Sequence, residues 1–342
     1  MLDVVKDLIR APPEYLASDV PDVETLPWFM RRDWRRDMRY KALSAPLRRQ
    51  ADRFMRDGYI IFRNDAPDDV VARTLAAFKD FTARHADYFD PFRDENGYLS
   101  RVVNLHLALP ALIELFASAR AALAFQDALY GRTTTMYTTL YFERGSAQTL
   151  HRDTPYFTTR PEYSYFGMWI ALEPADPGNG CLEVLPGGHL MPELDRAAFG
   201  RRHFGDLDAL PTVPGALFDL YQSTVLEAGR RRGLSPIRTP MGTGDVLIWH
   251  PQLPHGGAPI AQGARTRNSL VIHTVPEGVP VYQADAFFNP TRDLPVEIGW
   301  RMLEAYGRRY ALHAHVDVMH QAPRTPESFF EPDQAPVSAP TT

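Results

Sequence analysis

The stretch QTLHRD at residues 148–153 and the later segment HGG at residues 255–257 decide how this chain is interpreted. One residue separates His151 from Asp153, so both side chains point the same way if the stretch is extended. His255 follows an apolar run at residues 246–249, as expected if a neighbouring strand closes a site. Two imidazoles and one carboxylate suit a divalent iron held on one face. The sequence therefore predicts an iron site made of His151, Asp153 and His255.

The character of the sequence changes at Gly131. Before it, apolar residues recur at helical spacing, and after it short β-type segments are separated by glycine and proline. The expected helices are residues 45–56, 67–86, 110–130 and 295–309, and the expected strands are residues 59–62, 134–142, 163–172, 181–185, 245–249 and 269–275. Helices followed by strands, without βαβ alternation, predict an antiparallel sandwich or barrel buttressed by helices.

Residues 1–320 are expected to form a single domain, with an N-terminal arm and helix at residues 1–57. Residues 190–240 are polar and contain several arginines, and they are interpreted as an insertion between two core strands with a helical centre at 214–229. Inserted loops near a site often act as lids. Five prolines between Ala322 and Thr342 predict a disordered tail over residues 321–342.

The composition is that of an ordinary globular protein, with 342 residues, 44% hydrophobic and 23% charged. A formal net charge of -5 offers no electrostatic footprint for nucleic acid. The one cysteine, Cys181, excludes an internal disulfide framework and a cysteine-based zinc site. The first ten residues alternate charged with apolar side chains, and no stretch approaches the roughly 18 uninterrupted apolar residues of a membrane span. We therefore expect a cytoplasmic protein that binds neither nucleic acid nor membrane.

The triplet His151-Arg152-Asp153 also occurs in the catalytic loop of protein kinases. That loop needs an asparagine five residues after the aspartate, and this chain has Thr158 there. The sequence also contains neither Asp-Phe-Gly nor a glycine-rich phosphate loop, so the kinase interpretation fails. A His-x-Asp pattern alone is common by chance, and its surroundings must support the metal hypothesis.

Three motifs in this order resemble the phytanoyl-CoA dioxygenase family of Fe(II)/2-oxoglutarate oxygenases. They are QTLHRD at 148–153, NGCLEVLPGGH at 179–189, and GDVLIWHP at 244–251 running into HGG at 255–257. The resemblance covers about residues 58–64 and 134–275. It implies a mainly β fold with flanking helices and a double-stranded β-helix, or jelly-roll, core. At the matching positions it implies that His151, Asp153 and His255 are the iron ligands.

The family also holds the far carboxylate of 2-oxoglutarate with an arginine ten to twelve residues after the distal histidine, because a guanidinium fork matches a carboxylate. Arg265 and Arg267 both fit this spacing after His255. We favour Arg267, because Arg267-Asn268-Ser269 resembles an Arg-x-Ser pairing in which the Ser269 hydroxyl adds a hydrogen bond. Arg265 is then a surface or substrate residue.

Trp169 and Gln148 match family positions near the cosubstrate. Trp169 fits the role of a core aromatic residue equally well, and Gln148 that of a surface glutamine. His250 directly follows a strand and is expected beside a metal ligand. His189 ends a turn and is interpreted as structural. Asn104 and His106 are weaker candidates for the border of the substrate pocket. The arginines at 201–202 and 230–232 could meet an anionic substrate, but a solvated, arginine-rich helix end is the favoured interpretation.

The resemblance implies Fe(II), 2-oxoglutarate and O2 as cofactors, a small-molecule substrate, and succinate and CO2 as coproducts. Related halogenases replace the carboxylate ligand with a small residue to make room for chloride, whereas this chain retains Asp153. Hydroxylation is therefore expected, with desaturation or ring closure as open alternatives. The competing hypothesis is a non-redox jelly-roll metal- or ligand-binding protein, in which the histidines serve structure or hold zinc.

Overall fold

The computed structural model describes residues 26–213, 215–294 and 301–330. The helices in these ranges are α1 Met38–Ala42, α2 Ala45–Asp57, α3 Asp68–Arg84, α4 Ala86–Phe89, α5 Ala111–Ser118, α6 Arg120–Tyr130, α7 Arg196–Phe204, α8 Ala216–Arg231 and α9 Ala284–Phe288. The strands are β1 Tyr59–Phe62, β2 Val102–Val103, β3 Thr134–Phe142, β4 Thr158–Thr159, β5 Phe166–Ala171, β6 Leu182–Val184, β7 Ile237–Thr239, β8 Val246–Trp249, β9 His255–Gly257, β10 Ser269–Pro276, β11 Val281–Tyr282, β12 Met302–Ala305, β13 Arg308–Ala311 and β14 Asp317–Val318.

The larger sheet has the order β1-β8-β5-β10-β3 and is antiparallel along this path. Its longest pairing joins β10 to β3, with Ser269 opposite Phe142 and Pro276 opposite Thr134. Beyond β3 the sheet continues into β13 and β12 at one end of the strand and into β2 and β14 at the other. Successive side chains on each strand alternate between the two faces, so the sheet can bury both.

A smaller sheet of β7, β6 and β9 accompanies the larger one, and β4 pairs with β11 separately. One apolar cluster joins residues of both sheets, such as Trp169 of β5 and Leu182 of β6. A larger cluster joins the opposite face of the large sheet, including Phe166 and Leu270, to the helices. The antiparallel sandwich flanked by helices that the sequence predicts is therefore confirmed.

The junction between α2 and β1 follows the predicted boundaries closely. The Ser44 hydroxyl accepts a hydrogen bond from the Leu47 amide and caps the start of α2. Gly58 ends the helix with φ of 83°, a left-handed conformation that glycine adopts without strain. A Cβ atom at Gly58 would also lie 2.5 Å from His189 Nδ1. Glycine is therefore required both for the turn and for the approach of the histidine.

The single helix predicted over residues 110–130 is wrong at its centre, because the structure has two helices that meet at Ala119. The Asp65 carboxylate accepts hydrogen bonds from the amides of Ala121 and Ala122 at 2.9 and 2.8 Å. These amides belong to the first turn of α6, where amide groups lack partners within the helix. A residue distant in sequence thus caps a new helix start, and the helix-favouring composition does not reveal it.

Two predictions for the C-terminal part are also wrong. The helix predicted over residues 295–309 is instead the hairpin of β12 and β13 in its described part, while residues 295–300 lie outside the described residues. The tail predicted to be disordered from residue 321 packs on the body up to residue 330, because Phe329 is buried against Phe81 and Phe89. Residues 331–342 lie outside the described part.

The segment at 190–240 is an insertion only in part. Its helices α7 and α8 have their own apolar cluster, which includes Phe199, Tyr221 and Phe288. Residues 237–239, however, form β7 and pair with β6, so they belong to the smaller sheet. A lid role for the helical part stays a prediction. None of the helices in the described ranges is long and apolar enough to cross a membrane.

Candidate metal centre

Backbone hydrogen bonds hold His151 and His255 opposite each other. The His151 amide donates to the His255 carbonyl at 2.8 Å, and the His255 amide donates to the His151 carbonyl at 3.0 Å. This isolated antiparallel bridge sets the two imidazole centroids 4.8 Å apart. Asp153 immediately precedes the 3-10 turn Thr154–Tyr156. One ligand atom from each of the three side chains lies within 4.8 Å of the others, so the predicted residues converge.

Hydrogen bonds on the far side of each ring determine which nitrogen faces the site. His151 Nδ1 lies 2.9 Å from the Thr149 carbonyl, and His255 Nδ1 lies 3.0 Å from the Leu253 carbonyl. A carbonyl only accepts, so each Nδ1 carries a hydrogen, and Nε2 is the ring nitrogen left to bind a metal. The Nε2 atoms each lie 3.2 Å from an oxygen of Asp153. This donor set fits a divalent iron, and the described ranges contain no second group of three such ligands.

Asp153 is buried and ionised. Burial alone would raise the pKa of its carboxyl group, but the imidazoles of His255, His273 and His151 act more strongly and hold that pKa well below its usual range. Trp249 Nε1 also donates to Asp153 Oδ2 at 3.2 Å. The carboxylate is therefore available as a metal ligand at neutral pH.

His273 belongs to this site and was missed by sequence reasoning. Its Nε2 lies 3.0 Å from Asp153 Oδ2, and its ring stacks on Phe157 with centroids 3.7 Å apart. It lies four positions after Ser269 on β10, so strand alternation places both side chains on one face. That alternation within the predicted strand was the signal that could have found it. His273 bonds the carboxylate and lies outside the metal-binding group, so it is suited to orienting Asp153.

Arg152, between two of the ligands, points away from them and is almost fully buried. Its Nε donates to the Gln252 carbonyl at 2.8 Å, and a terminal nitrogen donates to the Gly188 carbonyl at 3.0 Å. The Arg152 backbone amide and carbonyl both bond the Gln222 side chain of α8 at 2.8 Å. The loop that carries His151 and Asp153 is therefore anchored to the inserted helix.

The ligand candidates open into a pocket between the sheets, which Gln148, Trp169 and Arg267 also line. A terminal nitrogen of Arg267 donates to the Gly180 carbonyl at 2.8 Å, and its guanidinium carbon lies 5.3 Å from the Trp169 ring centroid. Burial lowers the pKa of Arg267 to about 10, which leaves it a cation at neutral pH. Arg267 Nε, Trp169 Nε1 and Ser269 Oγ are buried without a hydrogen-bond partner in the described part of the chain. Such atoms are available for hydrogen bonds to a small molecule bound in the pocket.

Arg265 lies apart from the pocket lining. Its guanidinium pairs with Asp176 at 2.7 Å, and 40% of its side-chain surface is exposed. Gln148, in contrast, lies close to the metal-facing side, with Nε2 3.3 Å from His151 Nε2. The structure thus brings Arg267 and Gln148, but not Arg265, to the predicted ligands.

The other candidate histidines lie away from the metal-binding group. His250 was expected beside a ligand, but its ring packs 4.9 Å from that of His189, and burial holds its pKa well below the usual range. His189 Nε2 bonds the Met55 carbonyl at 2.9 Å, in keeping with a structural role. His106 bonds Thr139 and Ala311 through its two nitrogens, and neither it nor Asn104 lines the pocket. The expected role of His250 beside a ligand is therefore wrong.

The fold and the site together describe a β sandwich with a candidate metal centre of two histidines and one aspartate. The family model described as phytanoyl-CoA dioxygenase (PhyH) matches residues 54–268. The chain belongs to the phytanoyl-CoA dioxygenase family.

It is 26% identical over 155 residues to phytanoyl-CoA dioxygenase domain-containing protein 1 of Bos taurus, a match that covers 42% of this chain and 45% of that protein. It is 30% identical over 130 residues to peroxisomal phytanoyl-CoA dioxygenase of Mus musculus, covering 36% and 32% of the two chains. The matches thus span less than half of these relatives.

Solved structures support the fold. A non-heme alpha ketoglutarate dependent epimerase, SnoN from nogalamycin biosynthesis, superposes with a TM-score of 0.52 at 20% identity over 79% of this chain and 99% of that chain. A carbocyclase of the same kind, SnoK, superposes with a TM-score of 0.51 at 16% identity over 72% and 88% of the two chains. The jelly-roll core with flanking helices is confirmed by these superpositions.

Proposed function

We propose that this protein is a non-haem Fe(II)/2-oxoglutarate-dependent dioxygenase that hydroxylates a small molecule and yields succinate and CO2. The observation that carries the proposal is one pocket that combines His151, Asp153 and His255 with the buried guanidinium of Arg267. Ser269, two residues after Arg267, has a further buried hydroxyl without a partner in the described part of the chain. A metal face held by two imidazoles and one carboxylate leaves coordination positions open for reactants. Family membership supports the same reaction class.

Each side chain has a separate task in this proposal. His151 Nε2, His255 Nε2 and Asp153 hold the iron, which supplies the coupling of dioxygen reduction to oxidation of 2-oxoglutarate and of the substrate. The guanidinium of Arg267 and the hydroxyl of Ser269 bind the far carboxylate of 2-oxoglutarate, because a buried cation and a buried donor match that group. Their position inside the sandwich excludes water from the reacting groups.

Hydroxylation is the favoured outcome, because Asp153 retains the carboxylate that related halogenases lack. Two superposed structures, however, are a carbocyclase and an epimerase, so the same cosubstrate serves several reactions on this fold. The product mass separates the possibilities. Hydroxylation adds one oxygen to the substrate, desaturation or ring closure removes two hydrogens, and epimerisation leaves the mass unchanged.

Anaerobic titration with Fe(II) and 2-oxoglutarate tests the proposal. We expect a weak visible metal-to-ligand charge-transfer band, because the cosubstrate and the metal must meet in the pocket. Asp153→Ala should abolish both this band and succinate formation, since it removes one of three metal ligands. Asp176→Ala is the matched control, because this aspartate pairs with Arg265 outside the pocket. If the wild-type protein binds metal but develops no band, a non-redox jelly-roll binding protein is the better description.

A further inference from the structure

A second arginine, Arg101, lies over the ring of Phe142, a residue that lines the metal pocket. Val102 pairs with Tyr141 and Val103 with Leu140, so the same register sets Arg101 opposite Phe142. Directly opposite residues of an antiparallel pair lie on the same face. Phe142 and Leu140 both line the metal pocket. The Arg101 guanidinium carbon lies 6.0 Å from the Phe142 ring centroid, in agreement with this placement.

The Arg101 side chain has no hydrogen-bond or ion-pair partner within the described residues, and its Nε is buried. Nearby arginines differ, since Arg144 pairs with Asp94 and Arg93 pairs with Asp90 and Glu143. Burial lowers the pKa of Arg101, whereas the Asp153 carboxylate acts in the opposite direction. The two charges are therefore close enough to interact, although no direct contact joins them.

We propose that Arg101 binds an anionic group of the substrate, a carboxylate or a phosphate, at the mouth of the metal pocket. This proposal rests on the proposed function and names the substrate class for the same site. A partly buried cation without a partner is costly, and a guanidinium fork matches a carboxylate or phosphate with two hydrogen bonds. Arg101 would thus anchor one end of the substrate while its body reaches toward the metal ligands.

The other groups at the site leave Arg101 free for this task. Asp153 already bonds His273 and Trp249, and its oxygens face the two histidine ligands. Arg267 lies on the other side of β3, next to β10, where it is assigned to the cosubstrate. The apolar side chains that line the pocket, among them Leu140, Phe142, Leu182 and Val271, favour an apolar body beside the anionic group.

Binding of small acids and their primary amides tests the proposal. The probes are octanoate with octanamide and phenylacetate with phenylacetamide, which differ in charge but little in shape. Binding is followed by the fluorescence of the pocket tryptophans, in metal-free protein and in protein loaded anaerobically with Fe(II) and 2-oxoglutarate. We expect the acid of at least one pair to bind about tenfold more tightly than its amide, as a charge-assisted pair requires. Arg101→Gln should remove this preference, and Arg101→Lys should keep part of it.

Arg120→Gln is the control for loss of an exposed arginine, and Arg267→Gln shows whether the acids bind at the cosubstrate position instead. An acid preference that survives in Arg101→Gln, or that disappears in Arg267→Gln, overturns the proposal. So does a wild-type protein for which no acid binds more tightly than its amide. An acid preference at Arg101 without a charge-transfer band means that the dioxygenase proposal has failed, whereas a band without an acid preference refutes the role of Arg101 alone.

Discussion

The two faces of the larger sheet differ in what their side chains contact, and strand β10 shows the difference within a few residues. Leu270 and Ile272 point outward and join the apolar cluster under the helices. Ser269 and His273 point inward, and each has a buried polar atom without a partner in the described part of the chain. The same strand thus serves the core on one face and the candidate metal pocket on the other.

This difference separates stability from function. Apolar burial on the outer face stabilises the fold roughly in proportion to the area removed from water. An unsatisfied buried polar atom on the inner face costs about 1–3 kcal/mol until a ligand completes it. We therefore expect outer-face substitutions to change the free energy of unfolding and inner-face substitutions to change the binding of metal and cosubstrate.

The largest expected effect is that of Phe166→Ala on the outer face. Phe166 is fully buried, and its ring lies 4.7 Å from that of Tyr130, 4.9 Å from Phe29 and 5.4 Å from Phe54. The resulting cavity should lower the free energy of unfolding by about 3–5 kcal/mol, as measured by urea unfolding. The charge-transfer band should persist under all conditions in which the variant remains folded. Loss of the band without loss of stability would contradict the separation of the two faces.

On the inner face, Arg267→Gln should weaken 2-oxoglutarate binding about 100-fold, because a buried charge pair to the carboxylate is lost. The dissociation constant is measured by titrating the charge-transfer band. The free energy of unfolding should change by no more than about 1 kcal/mol, since removal of an unpaired buried charge is often neutral. Arg265→Gln is the matched control, and it should leave the dissociation constant unchanged because its guanidinium pairs with Asp176 outside the pocket. Equal effects of the two substitutions would refute the choice of Arg267.

A smaller effect is expected from His273→Phe, which keeps an aromatic ring against Phe157 but removes the hydrogen bond to Asp153. Loss of such a bond to a metal ligand typically weakens metal affinity about 10–100-fold. Competition with a chelator measures this affinity, and His273→Gln should recover part of it, because an amide can still donate. If the Phe variant binds metal as well as the wild type, the role of His273 is packing alone.

The convergence of His151, Asp153 and His255 could be predicted from the sequence, because His151 and Asp153 lie one residue apart in a recognisable motif and His255 lies in another. His273 was within reach, since it follows Ser269 at even spacing in a predicted strand. The anchoring of Arg152 was not, because Gln222 and Gln252 are distant in sequence and only the folded chain brings them together.

The C-terminal hairpin shows why local composition can fail. Residues 302–311 contain leucine, alanine, glutamate and arginine, which favour helices. The turn residues Tyr306 and Gly307 both have positive φ, as a two-residue hairpin turn requires. Tyr310 then pairs with Met136 of β3. Pairing within the hairpin and with β3 therefore overrides the helical preference of the segment.

The smallest expected effect is the pH dependence of stability that His106 contributes. His106 bonds Thr139, which pairs with Ile272 on the outer face of the larger sheet. Burial lowers the pKa of His106 to about 3, below the ordinary value of 6.5. Between these values the unfolded chain binds a proton that the folded chain does not, so lowering the pH reduces the free energy of unfolding by about 1.4 kcal/mol per pH unit. Above pH 6.5 both states are neutral, and the effect vanishes. His106→Gln should therefore show a shallower loss of stability than the wild type in urea unfolding between pH 7 and about 5. If the free energy of unfolding depends on pH equally in both proteins, His106 accepts a proton in the folded protein. The outer face would then be more accessible to water than its packing indicates.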